Sequence, residues 1–198
     1  MYTQLLSDIE AMTWVDWAAT IFSITYVVLS AANKPIGWLF GIVGCTLWAY
    51  ASFAMYYLYL DGILQVIYVL MGVWGLYNWT KGGISGQPLV ISRMDAWAHI
   101  FAIVVGGCLS LLLGYLFSFT AAAATYMDAF TSVFSVWATV LLVQRRLENW
   151  LYWIVVNIIY AYLYSSQGAV LFAFVMIVYV VMALFGWKRW KRLYLENV

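Results

Sequence analysis

The chain has 198 residues, of which 67% are apolar by a broad count and 9% are charged. Soluble domains carry about 45–50% apolar and about 25% charged residues, so the composition excludes a water-soluble domain of this size. Nine basic and eight acidic residues leave a net charge of +1, which gives no argument for a nucleic-acid partner. The two cysteines lie in separate apolar runs, which argues against a disulfide framework or a zinc cluster.

Seven apolar runs lie between short polar breaks, and each is near the length of about 20 residues that crosses a bilayer as a helix. The sequence therefore predicts an all-α integral membrane protein with seven transmembrane helices, at roughly 14–32, 36–55, 59–79, 96–117, 121–143, 149–165 and 168–187. No Lys or Arg precedes the first run, so we expect a retained span there and not a secretion signal.

All the basic residues lie in alternate gaps between the runs: Lys34, Lys81, Arg93, Arg145, Arg146, Lys188, Arg189, Lys191 and Arg192. The positive-inside rule places these gaps in the cytoplasm, so we expect the N-terminus outside and the C-terminus inside. Six tryptophans lie beside these gaps, where we expect them to anchor the membrane interface: Trp38, Trp79, Trp97, Trp150, Trp187 and Trp190.

The chain also resembles itself at an offset of 112 residues. Residues 13–60 match at about 12 of 48 positions, including Asp16 with Asp128 and Trp38 with Trp150, and the match continues at an offset of 111. We therefore expect a first three-helix repeat over 1–81, a linker over 82–120 with an inverting fourth helix, and a second repeat over 121–198. Transporters use such a parallel 3+1+3 repeat, with the site between the repeats.

Polar side chains recur on single faces of the predicted spans. On the sixth span an aromatic and amide stripe falls within roughly an 80° arc at 100° per residue, a face that suits a planar ligand. The candidate binding residues on these faces are Gln65, Trp150, Trp153, Asn157, Asp61, Asp128, Trp48 and Tyr160. Two alternatives stay open: aromatic side chains that only pack on neighbouring helices, and carboxylates that only cap helices at a wet interface.

The residues typical of catalysis are not arranged in catalytic motifs. The lone His99 lies at the inner edge of the fourth span, and no set of His, Cys and carboxylate residues has metal-ligand spacing. No serine lies in a Gly-x-Ser-x-Gly turn, and no Gly-rich phosphate loop is visible. We therefore expect neither an enzyme nor a metal or cofactor site.

The segment Glu148-Asn149-Trp150, followed by Trp153 and Asn157, resembles the Glu-Asn-Trp-x-x-Trp…Asn signature of PnuC-type vitamin transporters. The stretch 74–79, Asp61…Gln65 and the repeat are similar to the same family. The resemblance implies facilitated diffusion (uniport) of a vitamin or its precursor through the inner (plasma) membrane of a bacterium, driven by a cytoplasmic kinase that traps the product. By matching position it implies substrate contacts at Gln65, Trp150, Trp153 and Asn157.

Two positions leave the substrate open between nicotinamide riboside and thiamine. Members that carry nicotinamide riboside often have an aromatic residue where this chain has Leu76, and a tyrosine where it has Met176. Both vitamins are flat cations, and an aromatic cage with an amide suits either through stacking and cation–π attraction. A sugar carrier of the related parallel-repeat type, or a seven-helix receptor, is an alternative, and a homo-oligomer is compatible with the sequence.

Overall fold

The computed structural model describes residues 2–83, 86–119 and 125–196. Its helices are α1 (Tyr2–Ala11), α2 (Trp14–Ala31), α3 (Gly37–Tyr50), α4 (Tyr59–Lys81), α5 (Ala96–Phe117), α6 (Thr125–Val143), α7 (Asn149–Ser166) and α8 (Val170–Glu196). A π-helix, Ala51–Met55, continues α3. Among the described residues β pairing is limited to one isolated bridge, Ser92 to Arg146.

Helices α2 to α8 follow the seven predicted spans in order. Six helices within the described ranges are long and apolar enough to cross a membrane, and α7 is not among them. The predicted start of the fifth span, residue 121, lies outside the described residues. Helix α8 continues through the basic tail to Glu196, and α1 is an additional helix that the hydropathy pattern did not predict.

The helices form two bundles that touch through matching faces. Helix α3 packs on α2 and α4 in the first bundle, and α7 packs on α6 and α8 in the second. The bundles meet where α2 contacts α8 and where α4 contacts α6, while α5 packs against α6. Helix α1 lies against α8.

Several local features recur at equivalent positions of the two bundles. The turn after α2 has Asn33 at φ 57°, and the turn after α6 has Arg145 at φ 53°, each in the left-handed region. Helices α3 and α7 begin 112 positions apart, whereas α4 and α8 begin 111 apart. The extra residue of the first bundle coincides with the π-helix, whose wider turn accommodates one more residue than an α-turn.

Four tryptophans form the centre of the core where the bundles meet. The rings of Trp38 and Trp79 lie 5.5 Å apart at 87°, and those of Trp150 and Trp190 lie 5.5 Å apart at 88°. The rings of Trp79 and Trp190 join the two pairs at 5.8 Å. All four side chains are at most 6% exposed, so the expectation that they anchor the lipid interface is wrong. Trp97, at 79% exposed, lies on the surface as expected.

Residues 89–94, between α4 and α5, contact the basic turn after α6 and the residue before α7. Ile91 is buried in the same core as the tryptophans. Arg145 donates a hydrogen bond to the Leu89 carbonyl, and its guanidinium lies 4.4 Å from the ring centroid of Trp79. Partial burial lowers the pKa of this guanidinium. The buried Glu148 carboxylate accepts a hydrogen bond from the Met94 backbone at 3.0 Å, which ties the connection to the start of α7.

Candidate functional site

A cavity of about 790 Å³ lies between the two bundles. Pockets for small organic ligands commonly have volumes of about 300–1,000 Å³, so a vitamin-sized molecule fits. Seven of the eight candidate residues line the cavity: Trp48, Asp61, Gln65, Trp150, Trp153, Asn157 and Tyr160. The eighth, Asp128, is half-buried in the first turn of α6 and is not among the lining residues.

Helix α7 supplies an aromatic wall with one amide. Its stripe of Trp150, Trp153, Asn157, Tyr160 and Tyr164 lines the cavity along its whole length. The rings of Tyr160 and Tyr164 are nearly parallel, with centroids 5.8 Å apart. Asn157 is only 5% exposed and lies between the tryptophans and the tyrosines. A planar ligand can therefore stack on this wall and hydrogen-bond to the amide in the same position.

Another part of the wall comes from α3 and α4, whose lining side chains include small and polar groups beside Trp38 and Trp48. Helix α3 presents Gly41 and Cys45, and α4 presents Asp61, Gln65 and Tyr68. Gly41 is packed against the Tyr26 ring, where an added Cβ would lie 2.9 Å from the nearest ring carbon. Gly41 and Cys45 therefore add little bulk to this part of the cavity wall.

Two tyrosine–serine pairs cross from one bundle to the other beside the cavity. The side chain of Tyr68 in α4 lies near Ser135 in α6, and that of Tyr179 in α8 lies near Ser23 in α2. All four residues line the cavity. In the predicted repeat Tyr179 corresponds to Tyr68 and Ser135 corresponds to Ser23, and each bundle contributes one tyrosine and one serine.

Three carboxylates, Asp8, Asp16 and Asp61, line the end of the cavity away from the basic turns. Asp16 is 2% exposed and accepts hydrogen bonds from the Thr13 backbone at 2.8 Å and from the Tyr56 hydroxyl at 2.6 Å. Its position in the first turn of α2 also stabilises its negative charge. Partial burial and the bond to Asp16 raise the pKa of Tyr56, so its hydroxyl keeps its proton and donates to Asp16 up to a higher pH than a free tyrosine would.

The cavity favours a positively charged ligand. None of the described residues that line it is Lys, Arg or His, whereas three are Asp. Asp61 is partly exposed and accepts a hydrogen bond from Ser52 of the π-helix. A cleft lined by one sign of charge raises the local concentration of ions of the opposite sign.

The sequence did not identify several lining residues. Asp8 belongs to α1, whose ten residues are too few to give a span signal, and its carboxylate accepts a hydrogen bond from the Leu171 backbone at 3.2 Å. Trp38 and Tyr179 could have been found, because they are the repeat equivalents of Trp150 and Tyr68. The described residues contain no group of three His, Cys, Asp or Glu side chains placed to hold a metal ion.

Comparison with known proteins identifies the family. The sequence profile described as "Nicotinamide mononucleotide transporter" matches residues 13–192. The chain belongs to this family. Relatives named nicotinamide riboside transporter PnuC include one from Escherichia coli K12, 21% identical over 90% of this chain and 85% of its own length. Another, from Neisseria mucosa, is 27% identical over 91% of this chain and 73% of its own length.

A solved structure has the same fold. It is titled "Crystal structure of the Vitamin B3 transporter PnuC", with a TM-score of 0.76 and 21% identity over 99% of this chain and 88% of that one. The family resemblance inferred from the sequence is thus confirmed, as is an all-helical fold with several membrane spans. The relatives are named as transporters, in agreement with the expectation of a membrane transporter and not an enzyme.

Proposed function

We propose that the protein imports nicotinamide riboside by facilitated diffusion, with thiamine as the second candidate substrate. The observation that carries this proposal is the composition of the cavity wall: a stack of aromatic rings with a buried amide, three carboxylates and, among the described residues, no lining cation. Such a wall suits a flat cation, since rings attract positive charge through their faces and carboxylates attract it over longer distances.

The charge of the cavity distinguishes the riboside from the mononucleotide named in the family description. Nicotinamide riboside carries one positive charge, whereas the mononucleotide adds a phosphate. At roughly 8 Å and an effective dielectric constant of about 20, each carboxylate would repel one phosphate charge by about 2 kcal/mol before screening. The relatives from Escherichia coli and Neisseria mucosa are named for the riboside. We therefore assign the unphosphorylated form to this chain.

Thiamine remains the second candidate because of one lining residue. Met176 of α8 lines the cavity at the position where riboside carriers of the resembled family often have tyrosine. A methionine side chain is flexible and polarizable and adapts to ligands of different outline. Thiamine is also a flat cation, so the charge argument applies to it equally.

We further propose seven membrane crossings, with α7 as the sixth, arranged as two parallel three-helix repeats joined by α5. Three observations support this arrangement. The Trp79 indole donates to the Leu142 and Val143 carbonyls at 3.3 and 3.1 Å, and Trp190 donates to the Ser30 carbonyl at 3.2 Å. Ser30 and Leu142 are repeat equivalents, so the two bonds are related by exchange of the repeats. The tyrosine–serine pairs and the shared turn geometry are related in the same way.

Orientation and energetics complete the proposal. We place the N-terminus outside and the basic tail in the cytoplasm of a bacterial inner membrane, following the positive-inside rule. The carboxylate-lined end of the cavity then faces outward and meets the cationic substrate first. The cavity has no described lysine or arginine to pair with its carboxylates in an ion relay, which supports a uniporter whose product is trapped by cytoplasmic phosphorylation.

Titration calorimetry on the purified protein tests the substrate assignment. Nicotinamide riboside, thiamine, nicotinamide mononucleotide and riboflavin are titrated separately in the same detergent. We expect binding of one of the first two compounds, and an affinity for the mononucleotide at least tenfold lower than for the riboside. Equal affinity for riboside and mononucleotide would refute the charge argument, and binding of neither vitamin cation would refute the proposed function.

A further inference from the structure

A groove separate from the substrate cavity lies where α2 and α8 meet on the outer surface. Its volume is about 310 Å³. Two of its lining residues, Val28 of α2 and Phe185 of α8, are 48% and 65% exposed, so the groove is open to the surroundings of the protein. Both helices are long and apolar enough to cross a membrane, so these surroundings include the bilayer. The residues that line this α2–α8 groove are Val28, Ala31, Ala32, Met182, Phe185 and Arg189.

The groove combines an apolar stretch with a cation at one end. Met182, Phe185 and Arg189 follow one another at spacings of three and four residues, which places them on one face of α8. At a rise of 1.5 Å per residue, Arg189 lies about 10 Å along the axis from Met182. Every other lining residue is apolar, and lipid tails are as apolar as these side chains. The groove therefore matches a molecule with an anionic head and a hydrocarbon tail.

Arg189 is free to bind a ligand. It is exposed, and within the ranges that the structure describes it takes part in no hydrogen bond or ion pair. The Ser30 carbonyl at the end of α2 already accepts hydrogen bonds from a turn N–H and from the Trp190 indole, so it does not need Arg189 as a donor. Arg192, less than one turn further along α8, lies 3.8 Å from the carboxylate of Glu196. The N–H groups of Arg189 therefore remain available to an anion.

The equivalent contact between α4 and α6 has no such groove among the described residues. In the predicted repeat Ala31 corresponds to Val143 and Arg189 corresponds to Asn78, so a larger apolar residue and a neutral residue stand there. Val143 is 0% exposed and belongs to the same buried cluster as Ile91 from the connection between α4 and α5. The protein itself covers that contact between the bundles, whereas the contact between α2 and α8 stays open.

We propose that the α2–α8 groove binds one anionic phospholipid. Its phosphate lies on Arg189, whose planar guanidinium donates two parallel hydrogen bonds to phosphate oxygens. Part of one acyl chain lies along the apolar lining. The surrounding charge is complementary, because residues 188–192 contain four cations and the tail contains one carboxylate, Glu196. Basic pockets between membrane helices bind such headgroups. Because each bundle contributes one helix to the groove, the lipid stabilises the contact between the bundles.

Native mass spectrometry of the purified full-length protein tests this site. Phosphatidylglycerol and phosphatidylcholine with the same acyl chains are titrated separately, and the apparent Kd of the first bound lipid is compared. We expect phosphatidylglycerol to bind about tenfold more tightly, the value of charge-assisted hydrogen bonds to one phosphate. Arg189→Gln should remove this preference. Arg192→Gln is the matched control, since it loses the same charge outside the groove and should keep the preference.

A second variant tests the apolar part of the groove without changing the charge. Ala32→Leu places a larger side chain in the groove, so we expect it to weaken phosphatidylglycerol binding as much as Arg189→Gln does. Thermal unfolding gives an independent measure: phosphatidylglycerol should raise the unfolding temperature of the wild type and of Arg192→Gln, but not that of Arg189→Gln or Ala32→Leu.

Three results would overturn the lipid site. They are equal affinity for the two lipids in the wild type, equal losses in Arg189→Gln and Arg192→Gln, and unchanged binding in Ala32→Leu. A free-anion site is the remaining alternative, so inorganic phosphate is tested alone. It should not raise the unfolding temperature, and a rise equal to that with phosphatidylglycerol would also overturn the proposal. Arg189 is not among the residues that line the substrate cavity, so each of these results leaves the proposed function intact.

Discussion

Two glycines that contact the central tryptophans should not tolerate alanine. A Cβ at Gly75 would lie 2.5 Å from the Trp38 ring, and one at Gly186 would lie 2.6 Å from the Trp150 ring. Carbon atoms pack at about 3.5–4.0 Å, so each ring would have to move by roughly 1 Å. Trp38 and Trp150 are almost fully buried against Trp79 and Trp190, so movement of either ring disturbs these aromatic contacts.

The expected loss of stability follows from two opposing effects of the added methyl group. Overpacking a filled core costs about 1–3 kcal/mol, whereas alanine is better than glycine within a helix by about 1 kcal/mol. Gly107 in α5 is the matched control, because a Cβ added there would point into open space, with no neighbouring atom within 4 Å. In Gly107→Ala only the higher helix propensity of alanine changes the stability. We therefore expect Gly75→Ala and Gly186→Ala to be about 1–3 kcal/mol less stable than Gly107→Ala.

Thermal unfolding of the three purified variants in one detergent measures this difference. The two core variants should unfold at clearly lower temperature than the control, and by similar amounts, because the two contacts are equivalent. If Gly75→Ala and Gly186→Ala unfold together with Gly107→Ala, the close packing of glycine on tryptophan is refuted. A large loss in one variant alone would refute the equivalence of the two bundles.

Three further predictions concern the site and the topology. Asn157→Leu and Trp153→Leu should weaken ligand binding about tenfold in calorimetry while the protein stays monodisperse, whereas Trp97→Leu on the exposed surface should not; unchanged affinity in both site variants would remove them from the site. Asp61→Asn should weaken binding of the cation several-fold in the same assay, with Glu196→Gln as the control, and equal affinities would refute an electrostatic role. After replacement of Cys45 and Cys108 by alanine, a cysteine at Ser118 should react with an impermeant thiol reagent on intact cells and one at Val90 should not; the reverse result would invert the orientation.

The aromatic wall of the cavity could be predicted because helical spacing and a polar residue within an apolar run point to the same face of α7. Helical spacing puts Trp153 and Asn157 on one face, and an amide within an apolar run marks that face as the one turned away from lipid. The same reasoning on α4 identified Asp61 and Gln65. Each of these residues lines the cavity.

The tryptophans beside the basic turns show where such reasoning fails. A tryptophan at the end of a span has the same sequence context whether it faces lipid or the neighbouring bundle. Trp190 is 0% exposed and Trp97 is 79% exposed, although both lie next to basic or polar gaps. The contacts between the bundles decide whether such a tryptophan is buried, and these contacts depend on three-dimensional packing. The glycine at position 186, four residues before Trp190, is a local hint of close packing that hydropathy does not weigh.

Asp16 and Asp128 illustrate a second limit of prediction from the sequence. Their sequence contexts match, yet Asp16 lines the cavity and Asp128 does not. Asp16 receives a hydrogen bond from Tyr56, which follows the π-helix of the first bundle. In the second bundle the start of α8 follows the start of α7 by one residue less than the start of α4 follows that of α3. The described residues of this bundle contain no π-helix. The hydrogen-bond partner of Asp16 thus follows a π-helix that the described part of the second bundle lacks, and a comparison of the two aspartates alone does not show this.

Exchange of labelled substrate in proteoliposomes tests the central claim most directly. The purified protein is reconstituted without a kinase and without a pH or sodium gradient, and liposomes are loaded with unlabelled nicotinamide riboside. We predict saturable entry of labelled nicotinamide riboside that Asn157→Leu strongly reduces and that ionophores do not change. Entry that requires an imposed ion gradient would contradict the uniport mechanism, and the absence of exchange for both nicotinamide riboside and thiamine would contradict the proposed function.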